Sequence, residues 1–152
     1  MSFNPPGINP NLTPDSPGDA LRSAIVAAIA ANSTVTSLGA KVSRNSIPQR
    51  NSYPAVIVTK TNDTSDRDLD GLNGTSIASY SIAIVSTEST QVTSIRVAMN
   101  TLFEEFKGIL SSSVNVDEVI KTNEIDLPEP PQNSSDKWVY RTVLDFEFSY
   151  RS

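Results

Sequence analysis

From Lys137 to Arg151 the chain alternates without a break. Trp138, Tyr140, Thr142, Leu144, Phe146, Phe148 and Tyr150 interleave with Val139, Arg141, Val143, Asp145, Glu147, Ser149 and Arg151. A strand turns successive side chains to opposite faces. The pattern therefore predicts a strand with one buried aromatic face and one charged face that meets solvent or a partner. At about 3.3 Å per residue the run could span roughly 50 Å, well beyond the usual strand of about 5–6 residues. Part of it is expected to project as a long C-terminal β-hairpin.

Such a strand needs neighbours and cover, and the rest of the chain supplies candidates. Val116 to Leu127 reads as the other arm of the hairpin, joined through the polar, Pro-rich residues 128–136. Ala55 to Thr61 is continuous and β-branched, which predicts an interior strand. Lys41 to Ile47 reads as a short strand before it. Thr75 to Thr87 reads as another, with Tyr80, Ile82 and Ile84 on one face and Ala83 and Val85 on the other. Asp19 is placed to cap a helix running to about Asn32, with Leu21, Ile25 and Ile29 recurring every fourth residue. A second helix is predicted from Thr90 to Lys107, ended by Gly108. Its stripe is Val92, Ile95, Met99, Leu102, Phe106 and Ile109, at helical spacing. The order arm, helix, three strands, helix, two strands predicts an α+β fold. It has an antiparallel or mixed sheet of about four to five strands, with two helices packed on one face.

Residues 1–18 hold five of the ten prolines. Proline removes an amide donor and fixes φ, so this stretch reads as an extended arm. Residues 19–152 then form a single domain of ordinary size.

Composition narrows the chemistry. With no Cys there is no thiolate nucleophile, disulfide framework or Cys-ligated metal. With no His there is no Ser-His-Asp triad and no imidazole base. Twelve Lys and Arg against seventeen Asp and Glu, net −5, oppose general nucleic-acid affinity. The longest apolar run, Ala24 to Ala31, is too short to span a membrane, and no secretory signal is read at the N-terminus.

The remaining candidates are carboxylates and aromatics. Asp66-Arg67-Asp68-Leu69-Asp70-Gly71 opens like a calcium loop, but the twelfth position, which needs a bidentate acid, is Ile77. A solvated turn within the acidic loop of residues 62–74 is the simpler reading. Asp117/Glu118, Asp145/Glu147 and Glu104/Glu105 are the carboxylate pairs that a glycosidase would need. Alternating strand charges are more simply a wet face. Trp138, Tyr140, Phe146, Phe148 and Tyr150 could stack bases, yet Arg141 and Arg151 fall on the opposite face, so core packing is preferred. No catalytic, cofactor-binding or metal site is assigned, and no cofactor is expected.

Asp19-Ala20-Leu21 with the Ala-rich first helix, Tyr53-Pro54-Ala55-Val56-Ile57-Val58, Leu69-Asp70-Gly71-Leu72-Asn73-Gly74 before the Tyr80-Ile82-Ile84 strand, and Tyr140 to Arg151 together resemble the tail-completion, or tail-terminator, proteins of tailed bacteriophages. The resemblance covers about residues 19–151 and rests on structural rather than chemical motifs. It implies a non-enzymatic α+β subunit of the virion tail or neck, assembled in the host cytoplasm. It also implies a hexameric ring that caps the tail tube, stops its polymerisation and meets the head-side connector. Implied partners are copies of itself, the tube protein and the sheath. DNA would only pass through the lumen, without sequence-specific binding, and no membrane partner is expected.

A ring protomer needs complementary side surfaces. The 127–140 hairpin and the 62–74 loop are candidates to reach neighbouring subunits, and the arm to lap one. Glu88, Asp63, Asp66 and Asp68 are candidate lumen residues whose charge would repel passing DNA. The alternative from the same class is a head-closure or head–tail adaptor ring, or another tube or baseplate component. A stand-alone binding module is a further, different reading.

Overall fold

The computed structural model describes residues 17–44, 53–65, 75–104, 106–111, 114–131 and 137–151. Arm residues 1–16, strand residues 45–47, the Asp66–Gly71 stretch, Glu105 and residues 132–136 lie outside them.

The aromatic alternation seen in sequence becomes β6 (Tyr140–Arg151), central in a sheet of six described strands. The others are β1 (Lys41–Arg44), β2 (Ala55–Ser65), β3 (Thr75–Ser86), β4 (Gly108–Leu110) and β5 (Val114–Asp126). Their order is β1-β2-β3-β6-β5-β4. All neighbours are antiparallel except β1 and β2, which run parallel. The fold is α+β with a mixed sheet, as expected. The sheet has six strands rather than four or five because β4 is only three residues long, too short for an alternation to show.

Leu144, Phe146, Phe148 and Tyr150 of β6 are all buried, and so are Tyr80, Ile82 and Ile84 of β3. Helix α3 (Ser89–Phe103) covers this face through Val92, Ile95, Met99 and Phe103. Phe103 stacks edge-on against Phe148, with centroids 5.7 Å apart, and lies 5.6 Å from Phe146. Tyr80 meets Phe148 edge-on at 5.9 Å. Each such side chain contributes about 1.5–3 kcal/mol through burial.

The sequence stripe differs from this at its C-terminal end. The helix stops at Phe103 instead of Lys107, and Glu104 is already extended at ψ 125°. Phe103 takes the core place assigned to Phe106, which is half-buried beyond the helix. Ile109 is 67% exposed, because the chain has by then changed from helical to strand period. Gly108, where β4 begins, has φ 122°, a conformation open essentially to glycine alone.

Helix α1 (Pro17–Ala30) begins two residues before Asp19, so Asp19 falls in the first turn and proline takes an early position that suits it. Leu21, Ala24, Ile25 and Ile29 are buried. A third helix, α2 (Ser33–Ser37), follows at once. Asn32 Oδ1 caps it by accepting the amides of Thr34 at 3.0 Å and Val35 at 3.3 Å.

Helix α1 touches β1 and β2 at one side of the sheet and β4 and β5 at the other. From one edge Arg44 Nη2 donates to Ser23 Oγ at 2.8 Å. From the other, Ser111 Oγ donates to the Ala24 carbonyl at 3.0 Å. The sheet therefore curls round α1, and α1 and α3 both lie on its inner face.

Candidate functional site

The strands decide what the carboxylate pairs face. Asp145 and Glu147 share the face of β6 opposite the aromatic core. Asp145 accepts from Ser81 Oγ on β3 and from Asn123 Nδ2 on β5 at 3.5 Å, so it ties three strands together. Asp117 accepts from Arg151 Nε at 3.2 Å, beside an exposed Glu118. Glu104 lies 3.8 Å from Lys121 Nζ, and its neighbour Glu105 lies outside the described residues. Among the described residues no cluster of three acids is placed to hold a metal ion.

Of the candidate lumen residues, Glu88 is exposed at the entry to α3, just past the last residue of β3. Asp63 pairs with Ala78 towards the first residues of β3. Ten positions separate Ala78 from Glu88, roughly 30 Å of extended chain. The structure thus sets the two at opposite ends of the sheet. Asp66 and Asp68 lie outside the described residues.

The aromatic face divides. Phe146, Phe148 and Tyr150 are core, as expected, but Trp138 is 46% exposed and Tyr140 is only partly buried. Their rings stand nearly parallel at 20°, 6.4 Å apart, at the end of the core, against which Tyr140 packs. β6 starts at Tyr140, and Val139 reaches only an isolated bridge to Glu129.

Two bulges in β5 shape the surface near this pair. The register with β6 slips between Val116 and Glu118 and again between Lys121 and Asn123. Each extra residue reverses the in–out alternation. Val116 and Val119 are thereby both buried, and Lys121 and Glu124 come to share the helix-bearing face. Lys121 Nζ donates to Glu124 Oε1 at 3.0 Å and to Asn100 Oδ1 of α3 at 3.4 Å. Arg96 Nη1 lies 3.7 Å from Glu124 Oε2. The hydrogen bond from Lys121 is the main influence holding the Glu124 carboxyl below the usual glutamate range. Partial burial opposes it, and Asn100 and the nearby positive charges add to it. These ionic contacts clamp α3 to β5.

Above the clamp is a cleft of about 440 Å³ between the first turns of α3 and the end of the hairpin. Ser89, Val92, Thr93 and Arg96 line it from α3. Glu124, Asp126, Pro128, Tyr140, Arg141 and Thr142 line it from the hairpin. Thr142 Oγ1 donates to Asp126 Oδ1 at 2.7 Å, and Arg141 Nη2 lies 3.3 Å from Glu129 Oε1. The sequence reading did not find this cleft, because its walls come from segments about thirty positions apart with no shared motif.

On the other face of the sheet Ile120 and Ile125 are 45% and 44% exposed, and Leu127 is 44% exposed. β4 pairs only with Val114 to Val116, so among the described residues no strand lies along the edge of β5 away from β6 between Asp117 and Asp126. Unpaired edge groups of this kind recruit further strands.

No family model and no curated protein sequence matches the chain. Among solved structures it is similar to a chain in the virion of a native gene transfer agent particle. The TM-score is 0.59 at 12% identity, and the match covers 91% of this chain and 100% of that one. At this identity the likeness establishes a shared fold.

Proposed function

We propose that the protein is a structural subunit of a phage-like virion, and that its place is the end of the tail, as a ring-forming tail terminator. The observation that supports the virion part of this reading is the likeness over the whole length of a gene transfer agent virion chain; the tail-terminator place rests on the sequence resemblance. The described surface fits such work. Asp117 and Asp145 are engaged between strands, Glu124 is engaged with Lys121 and Arg96 in the cleft wall, and apolar side chains stand along the outer edge of β5.

A ring needs two unlike surfaces that meet under rotation. The β5 edge, with Ile120 and Ile125 beside it, supplies one, and it can add a strand from the next subunit. Six copies would close the ring, cap the tube, and meet the sheath and the head-side connector, with DNA passing through the centre. The protein would then reside in the virion neck after assembly in the host cytoplasm.

Deleting the gene from its particle tests this. Over-long tubes without heads support a terminator. Tubes of normal length that fail to join heads favour the adaptor reading. Intact particles of normal yield would exclude both.

A further inference from the structure

The Trp138–Tyr140 pair lies beside a cleft whose wall includes Pro128 and Tyr140; Tyr140 packs with one part on the core, while the Trp138 ring stands 46% exposed. A half-exposed tryptophan next to a parallel tyrosine is the surface that proline-rich chains bind. Pyrrolidine rings stack on the aromatic faces, and the extended chain has already lost most of its conformational freedom. The carbonyls of such a chain make no internal hydrogen bonds, and indole N–H and phenol O–H groups are donors for them.

The chain carries a matching segment of its own. Residues 1–16 contain Pro5, Pro6, Pro10 and Pro14, with a single charged side chain, Asp15. They join the described structure at Pro17, the first residue of α1. Sixteen residues in extended polyproline form reach about 50 Å. A domain of this length has a radius of gyration of only about 15 Å, so the segment can reach any point on it. We infer that residues 1–16 of this chain dock on the Trp138–Tyr140 platform and run into the adjoining cleft. This occupancy is independent of the virion reading and can be measured on the protein alone.

Trp138 is the single tryptophan of the chain, so its fluorescence reports the platform directly. The test uses the full chain and a full-length variant with Pro5→Gly, Pro6→Gly and Pro10→Gly, both checked for fold by circular dichroism. Covering one face of an indole removes about half of its accessible surface, so acrylamide quenching should rise about twofold in the variant. A peptide of residues 1–16 should restore protection to the variant, and Tyr140→Ala should abolish that rescue. Equal quenching in both proteins, with no response to the peptide, overturns the inference. Protection by an unrelated oligoproline but not by the 1–16 peptide also overturns it, in favour of a partner's proline-rich segment.

Discussion

Lys121 and Glu124 form a 3.0 Å ion pair on a single strand, three residues apart. In an unbroken strand those positions point to opposite faces. They meet because the register slips between Lys121 and Asn123, which turns both towards α3. One irregularity in the ladder thus brings both charges within reach of Asn100 and Arg96, adding polar contacts to the apolar packing of α3 on the sheet.

That pair gives stability a definite pH dependence. The Glu124 carboxyl is held below its usual range chiefly by the Lys121 hydrogen bond. A depressed carboxyl stabilises the fold fully above the unfolded value, about 4.3, and the contribution fades as pH falls through the lower folded value. Urea midpoints measured from pH 6 downwards should therefore fall less steeply in Glu124→Gln than in the wild type over that acid window. The effect should be small, since Glu124 is only partly shielded from water.

Phe103 is fully buried among Phe146 and Phe148, whereas Val97 on the same helix is 52% exposed. Phe103→Ala should cost about 3–5 kcal/mol through lost burial and the cavity it leaves. Val97→Ala should lie within about 0.5 kcal/mol of the wild type. Chemical denaturation of both variants checks the contrast.

Asn32 alone supplies the side-chain cap of α2. Asn32→Ala should destabilise by about 1 kcal/mol, while Asn32→Asp should keep most of the cap. The shift in urea midpoint at constant slope is the readout.

Gly108 has open space where a Cβ would stand, yet its φ is 122°. Gly108→Ala should therefore cost about 1–3 kcal/mol from backbone strain rather than from a clash. Gly108→Ser should cost a similar amount. A much larger penalty for the bulkier residue would point to crowding instead.

Ile125 stands 44% exposed by the unpaired β5 edge. Ile125→Lys should leave the stability of the monomer within about 0.5 kcal/mol of the wild type and abolish the ring assembly proposed above. Analytical ultracentrifugation with and without the tube protein separates the two effects. Rings that form unchanged in the variant would remove β5 from the proposed interface.

Strands and helices with a regular period could be read directly from the residues. The alternation from Tyr140 to Tyr150 and the spacing of Leu21, Ile25 and Ile29 each record burial on one face, and the continuous run at Ala55 to Val58 records burial on both. Local periodicity encodes that much because a repeating backbone presents the same face at fixed intervals. The ends of elements were less legible. Phe103 and Phe106 both fit the helical stripe, and only the space left between Phe146 and Phe148 selects one of them.

The cleft, the β5 bulges and the separation of Asp63 from Glu88 had no counterpart in any local pattern. Each depends on the register between strands distant in sequence, and a slip of one residue reverses every side chain beyond it. Composition ruled out thiolate and imidazole chemistry before any fold was known, because those reactions need side chains this polypeptide lacks. Which of the remaining groups meet was settled by the curl of the sheet round α1, where long-range pairing overrides the pattern of near neighbours.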